Sequence, residues 1–294
     1  MLKKNVIALL VALFALALVG CQAKTETKDA PKEAAQPEVK DVILATTTST
    51  QDSGLLDVLI PDFEKKTGYR VKPIAVGTGQ ALAMGEKGEA DVMLTHAQKS
   101  EKPLVDSGVA TNYQLVMHND FIVVGPENDP AGLKQVKSST EGFKKIAEKG
   151  AIFVSRGDDS GTNKKEQDIW KAAGIDPKGQ KWYQETGSGM GQTLTIANDK
   201  QGYTLTDRAT YLAQKKNLKL AILCEGDKGL LNIYHVMQVN PEKFPKVNAA
   251  GAKAFVEYMI SPETQKIIGD FGKDKFGESL FYPDARKKAE DLGK

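Results

Sequence analysis

The chain has 294 residues, room for two domains of about 100 to 200 residues each with a core in both. Its formal net charge is +2, from 40 Lys and Arg against 38 Asp and Glu, which argues against a bulk electrostatic partner such as nucleic acid or a polyanion. The three histidines, His96, His118 and His235, lie too far apart for metal-ligand spacing, so no metal site is expected.

The opening "MLKKNVIALLVALFALALVGC" has Lys3 and Lys4 ahead of an apolar stretch over residues 6–19. That stretch is shorter than the ~20 residues a membrane span needs, so residues 1–20 are expected to be an export signal. Leu18, Val19 and Gly20 before Cys21 look like a lipoprotein signal box, which predicts cleavage before Cys21 and acylation of its thiol. Cutting there removes two lysines and no acid, leaving 38 basic against 38 acidic residues. Residues 22–40, "QAKTETKDAPKEAAQPEVK", are small, charged or proline, and are expected to form a tether (21–40) unable to bury enough surface to fold. With Cys21 acylated, Cys224 in "LAILC" has no disulfide partner and reads as a buried small hydrophobe.

From Asp41 onward, short apolar runs alternate with amphipathic ones. "DVILA" predicts a strand. "SGLLDVLIPDFEKKTG" has apolar residues at helical spacing and a terminal glycine stop. "YRVKPIAV", "GQALAMGEKGE", "ADVMLTH" and "SEKPLVDSG" continue as strand, helix, strand and helix. After the extended "YQLVMHNDFIVVGP" the rhythm resumes: a helix over 142–149, strand "AIFVSR", a helix over about 162–173, strand "QKWYQET", a helix over 190–198, strand "GYTLT" and helix "DRATYLAQKK". The strands "LAILCE" and "LNIYHVMQVN" lead into C-terminal helices. This is an α/β fold with a mainly parallel, helix-covered sheet. Long extended segments over 115–124 and 233–239 predict two lobes crossed twice by the chain, with 41–121 and 236–294 in one and 122–235 in the other.

Ligands of open α/β sheets sit beyond the carboxyl ends of the strands, where loops meet helix N-termini. Three stretches fall there. "ATTTSTQDSG" packs hydroxyls over 46–50, suited to donate to an anion beside a helix start; the local alternative is Ser53 as helix N-cap. "VGTGQAL" places Thr78 at a helix start between Gly77 and Gly79. In "SRGDDSGTNKKEQDIW", Arg156 offers a planar fork of donors with a permanent charge, and Ser160, Gly161 and Thr162 open a helix. The local alternative pairs Arg156 with Asp158 or Asp159 and makes Ser160 a cap.

"RGDDSGT" has the R-x-D-x-S-G-T pattern of periplasmic phosphate-binding proteins. With "TTTS", "VGTG", "SEKPLVDSG" and "SRGDDSGTNKKE" in this order, nearly all of residues 41–290 resemble the tungstate-binding proteins of bacterial ABC transporters. The resemblance implies a type II periplasmic binding fold, two α/β lobes joined by two crossing segments, with an oxyanion in the cleft between them. Carried over by position, Thr48, Ser49, Thr78, Arg156 and Thr162 are the implied ligand contacts, with Ser160 and Gly161 as further contributors. It also implies a permease partner, a monomer anchored to the membrane at Cys21 and facing the periplasm or cell exterior, and no cofactor. The implied ligand is tungstate, with molybdate and phosphate as alternatives. Asp158 separates them: phosphate at neutral pH keeps a proton that a carboxylate can accept, whereas tungstate, molybdate and sulfate are dianions that a bare carboxylate repels.

The rival class is an enzyme of the same fold, such as a prephenate-dehydratase-like or transferase relative. Ser49 has no histidine near it in sequence, and there is no G-x-S-x-G elbow, phosphate-loop lysine or two-histidine helix motif, so a non-enzymatic binding protein is expected. His96, at a strand end in "LTHA", is left out of the site. Tyr203, Thr204 and Thr206 in "GYTLTD" are candidates to line the cleft, with Thr206 alternatively a helix cap. Trp170 and Trp182 read as core.

Overall fold

The computed structural model describes residues 40–288 and Leu292. The export signal (1–20), Cys21 and the tether up to residue 39 lie outside the described residues.

Strand β1 (Asp41–Thr47) buries Val42, Leu44 and Ala45 and is flanked on both sides by parallel strands, β2 (Arg70–Val76) and β3 (Val92–Thr95). Between them run α1 (Thr48–Asp52), α2 (Leu56–Thr67) and α3 (Thr78–Glu86), and α4 (Gln98–Asp106) follows β3. Helix α2 presents Leu56, Leu59 and Phe63 to the core and stops at Gly68, whose φ of 76° is the left-handed cap that glycine adopts without strain. The local alternative for Ser53, an N-cap of the following helix, is not realised: it closes α1, donating to the Thr50 carbonyl at 2.8 Å, while α2 has Leu55 at its N-cap and no side-chain cap.

Strand β4 (Ala110–Pro126) is 17 residues long and belongs to both halves of the molecule. Residues 110–120 pair antiparallel with β9 (Leu231–Val239), which also borders β3. Residues 121–126 pair instead with β7 (Thr204–Asp207) and β8 (Leu220–Cys224). The second half also contains α5 (Ser139–Lys149), the parallel pair β5 (Phe153–Ser155) and β6 (Tyr183–Glu185), α6 (Gly161–Ala173), α7 (Met190–Lys200) and α8 (Arg208–Gln214). Helices α9 (Ala249–Met259), α10 (Pro262–Asp270) and α11 (Lys273–Phe276), with the short β10 (Tyr282–Pro283) beside β4, complete the first half. The first sheet therefore runs β10-β4-β9-β3-β1-β2, and β4 and β9 are the crossing strands between two α/β lobes.

Each lobe has its own apolar cluster: Ala45, Leu82, Met93 and Met237 in the first, and Phe121, Phe143, Phe153 and Trp170 in the second. A third cluster contains residues of both, including Leu44, Phe63, Val124 and Met190. Trp170 is fully buried and Trp182 packs against it, as core residues; Cys224 is buried. Tyr203 does not line the cleft. It is buried in the second lobe with its hydroxyl donating to Asp129 Oδ1 at 3.0 Å, because its place at the start of β7 turns the ring into that core. Thr206 does not cap α8; Asp207 does, accepting the Thr210 N–H at 2.8 Å.

Candidate functional site

The parallel register of β1 with β3, Thr46 opposite Leu94, brings the carboxyl ends of both strands side by side at the first lobe's edge. Four helix N-termini meet there: α1 and α3 from this lobe, α6 and α7 from the other. Each presents N–H groups that have no partner within its own helix, and the positive end of a helix dipole. The lobes touch directly. Gly161 donates its N–H to Thr78 Oγ1 at 2.8 Å, Gly79 its N–H to the Asp159 carbonyl at 3.2 Å, and Gly191 its N–H to Asp52 Oδ2 at 2.9 Å. Two glycines make this approach possible: a Cβ on Gly79 would stand 1.8 Å from Asp159 Oδ2, and one on Gly161 would stand 2.7 Å from the His96 ring.

The hydroxyl run divides by partner. Thr46 Oγ1 donates to the Leu94 carbonyl at 2.8 Å and is part of the strand pairing. Thr47 caps α1 and contacts Thr50 Oγ1 at 2.7 Å. Thr48 Oγ1 accepts from Arg156 Nη2 at 2.8 Å across the lobes, and Ser49 Oγ lies 3.2 Å from both Thr47 Oγ1 and His96 Nε2. Local signals hid α1 itself, since Ser and Thr favour caps over helix interiors.

Arg156 is 1% exposed. Its Nη2 also meets Asp158 Oδ2 at 2.5 Å, and Asp158 Oδ1 accepts the Ser160 N–H at 3.2 Å. Asp158 thus turns both oxygens onto donors of its own loop. The backbone of 186–188 supports the guanidinium: Gly187 donates its N–H to the Arg156 carbonyl at 2.8 Å, and Arg156 Nε reaches the Ser188 carbonyl at 3.4 Å. Ser160 is a cap, accepting the Asn163 N–H at 3.1 Å, and Gly161 spends its N–H on Thr78. These two expected contacts therefore shape the loop more than they face the cleft.

Among the described residues, five buried side-chain atoms lack a hydrogen-bond partner: His96 Nδ1, Arg156 Nη1, Thr162 Oγ1, Asn232 Oδ1 and His235 Nδ1. The last still has an ion-pair contact, 2.9 Å to Glu101 Oε2. Arg156 Nη1 and Thr162 Oγ1 belong to the loop and helix start of the third motif. Leaving such donors unsatisfied costs about 1 to 3 kcal/mol each, and more for a charged group, so they mark a place that takes an acceptor.

Two groups that the sequence did not assign join the site. The His96 ring is buried, with Nε2 3.0 Å from Thr47 Oγ1 and 3.2 Å from Ser49 Oγ. Burial, with the Arg156 charge acting in the same direction, holds its pKa down at about 4, so the ring is neutral at neutral pH. The N-terminus of α7 follows Gly189, where a Cβ would lie 3.3 Å from Thr48; its "GSGMG" is a glycine turn between strand and helix, the same kind of signal as "VGTGQ". Asp207, fully buried behind the site, has its pKa raised to about 6 by burial against the lowering effects of Thr210 and Arg156. A cavity of about 460 Å³ opens alongside, lined by His96, Gly161, Phe121, Lys99, Lys165 and Ile233.

A buried, donor-rich site between two lobes joined by two crossing strands defines a class of small-anion receptor. The chain belongs to the PBP superfamily, whose domain matches residues 30–263. It is 49% identical over 280 residues to the tungstate-binding protein TupA of Peptoclostridium acidaminophilum, covering 94% of this chain and 96% of the relative. Among solved structures it is similar to the tungstate ABC transporter protein of Geobacter sulfurreducens, at 52% identity and TM-score 0.72 over 79% of this chain and 99% of that one. The tungstate-binding protein TupA of Desulfovibrio alaskensis G20 matches at 46% identity and TM-score 0.70, over 84% of this chain and all of that one.

Proposed function

We propose that this protein is the substrate-binding lipoprotein of an ABC transporter, which captures tungstate, and its isostere molybdate, between the lobes and presents it to a membrane permease. The observation that carries this reading is the buried Arg156 with Nη1 unpaired, together with an unpaired Thr162 hydroxyl at the start of the helix that follows its loop. Arg156 and Thr162 supply donors from one lobe, and Thr48, Ser49 and Thr78 from the other; Ser160 and Gly161 hold the loop that carries Arg156. Binding energy then favours the closed form through contacts that exist only when both lobes meet. The relatives named above support tungstate as the ligand and a permease as the partner. Export by the signal over residues 1–20, anchoring by an acylated Cys21 and action as a monomer complete the proposal.

The direction of Asp158 favours a fully ionised anion. Its oxygens are engaged by Arg156 and the Ser160 N–H, so a protonated phosphate finds no carboxylate turned toward it.

One contact favours the enzyme reading: Ser49 Oγ and His96 Nε2 are 3.2 Å apart, a serine–histidine pair the sequence did not reveal. Two observations weigh against it. Thr47 Oγ1 holds the same nitrogen at the shorter 3.0 Å, and a pKa near 4 makes His96 a weak general base at neutral pH. The relatives are transport proteins, so we read the anion as carried unchanged, which mass spectrometry of the purified complex tests.

The decisive variant is Arg156→Ala. Charged hydrogen bonds contribute about 1.5 to 3 kcal/mol each, and Arg156 can make two, so tungstate affinity should fall by roughly 3 to 6 kcal/mol in isothermal titration. Near-normal affinity would remove the site assignment. Tungstate, molybdate, sulfate and phosphate titrated side by side into the wild type test the ligand; a preference for phosphate would sink the dianion reading.

A further inference from the structure

Behind the cleft runs a buried chain of polar side chains that the binding reading leaves unused. It begins at Asp207, whose Oδ1 lies 3.5 Å from Asn119 Nδ2. Asn119 Oδ1 accepts from Asn232 Nδ2 at 2.8 Å, and the same Nδ2 reaches the Tyr234 hydroxyl at 3.2 Å. Asn119 and Asn232 are register partners on the crossing strands β4 and β9. Asn232 then has only Oδ1 left, and that oxygen and His96 Nδ1 are two buried polar atoms each without a hydrogen-bond partner. His96 Nε2 faces the Thr47 and Ser49 hydroxyls, and the ring is flanked by Tyr234 and Phe121 at centroid distances of 4.7 and 6.4 Å.

Hydrogen-bond polarity along such a chain is set by its end. An ionised carboxylate only accepts, and an amide presents donors on one side and an acceptor on the other. Asp207 therefore draws the Asn119 amide nitrogen toward itself, which turns the Asn119 oxygen to Asn232. That in turn fixes the Asn232 nitrogen toward Asn119 and leaves its oxygen as an acceptor in want of a donor, which the unpaired His96 Nδ1 can supply. Supplying it calls for a hydrogen on Nδ1, and a neutral imidazole has only one. Nε2 is then a bare acceptor.

We infer that His96 is a positioning residue, held as the neutral Nδ1–H tautomer, whose Nε2 takes the hydrogen of Thr47 and so leaves the Ser49 hydroxyl to donate into the cleft. The Thr47 contact is the shorter of the two. With Nε2 and Asp158 both engaged, the pocket presents donors alone. The tautomer follows from the chain by itself; only its effect on affinity rests on the oxyanion reading above.

Two measurements test this. Long-range ¹H–¹⁵N correlation spectra of the ligand-free protein at neutral pH, with the His96 signals assigned by their loss in His96→Gln, should show Nδ1 protonated and Nε2 bare. A protonated Nε2 would overturn the inference whatever the ligand proves to be. Titration with sodium tungstate should then separate two variants that melt like the wild type. His96→Gln, which can place an amide oxygen where Nε2 was, should stay within about fivefold of wild-type affinity, whereas His96→Leu should lose about tenfold or more. Equal loss in both, or loss in neither, would overturn it. Failure of the wild type to bind tungstate would instead count against the oxyanion reading, with the spectra still deciding the tautomer. The spectra also decide if the leucine variant does not fold.

Discussion

The buried polar clusters around Glu101 and Glu166 and the buried cleft differ in how completely they are satisfied. Glu101, at the start of α4, has every oxygen engaged: Oε1 accepts from Thr95 Oγ1 at 2.8 Å and the Ala97 N–H at 2.7 Å, and Oε2 from the Tyr113 hydroxyl at 2.8 Å with His235 Nδ1 at 2.9 Å. Glu166, on α6, is as well supplied, by Ser155 Oγ at 2.6 Å, the Tyr183 hydroxyl at 2.8 Å and Trp170 Nε1 at 3.0 Å. The cleft, equally buried, leaves Arg156 Nη1 and Thr162 Oγ1 without partners. Satisfied clusters add rigidity and specify the fold, whereas unsatisfied donors retain their full desolvation cost until an acceptor arrives. The first clusters finish their chemistry within the chain, whereas the cleft leaves part of its own open to an acceptor from outside it.

The largest expected effect on stability falls on the satisfied side. Glu101→Ala strands the Thr95, Tyr113 and His235 groups in the interior, and breaking a buried pair costs about 3 to 5 kcal/mol. Chemical denaturation should show that loss, while the folded fraction keeps tungstate affinity within about tenfold. A milder result comes from Glu166. Burial raises its pKa to about 7 against four hydrogen-bond donors that lower it. A carboxyl whose folded pKa exceeds its unfolded value binds its proton more tightly when folded. Its contribution is therefore fully present below about pH 4.5 and lost as pH rises toward 7, by up to about 1.4 kcal/mol per pH unit. Glu166→Gln should remove that slope, seen as a wild-type minus variant difference in melting temperature that grows on acidification. A flat difference would mean that Glu166 is ionised throughout and that its donors outweigh burial.

Much of this contrast was legible in the sequence, and the gaps have physical causes. Alternating strands and helices, two long extended runs and three strand-to-helix turns carry enough local signal for the two-lobe α/β class and the motif loops. The sheet expected to be mainly parallel is instead antiparallel wherever β4 and β9 take part, because the pairing of those long strands is a tertiary fact. Arg156 stood out because charge is conspicuous beside a helix start. His96 did not, because its contacts with Thr47 and Ser49 follow from β3 lying parallel to β1 with Thr46 opposite Leu94; strand order is a tertiary fact that no spacing in "LTHA" encodes. Tyr203 was misplaced for the converse reason: a strand end next to the cleft does not say which way a ring turns, and packing beside Phe153 and Asp129 decided it. The crowding at Gly161 and Gly79 was visible only as glycine, and the groups that demand it come from the opposite lobe.

The finest test of the contrast is Thr162→Val, because it should move stability and affinity in opposite directions. Valine keeps the shape of threonine and its β-branching at the first turn of α6, and deletes only the hydroxyl that has no partner in the folded chain. Removing a buried, unpaired hydroxyl relieves part of its desolvation cost, so the ligand-free protein should melt at the same temperature or a few degrees higher, a gain of up to about 1 kcal/mol. A hydroxyl donating to a dianion makes a charge-assisted bond, so tungstate affinity should fall by about 1.5 kcal/mol, roughly tenfold, in titration. The stabilisation that bound tungstate confers should shrink by the same amount, since ligand linkage depends only on affinity and free concentration. A variant that instead loses ligand-free stability would show that Thr162 Oγ1 is engaged within the chain, and the cleft would then belong with the satisfied clusters of Glu101 and Glu166.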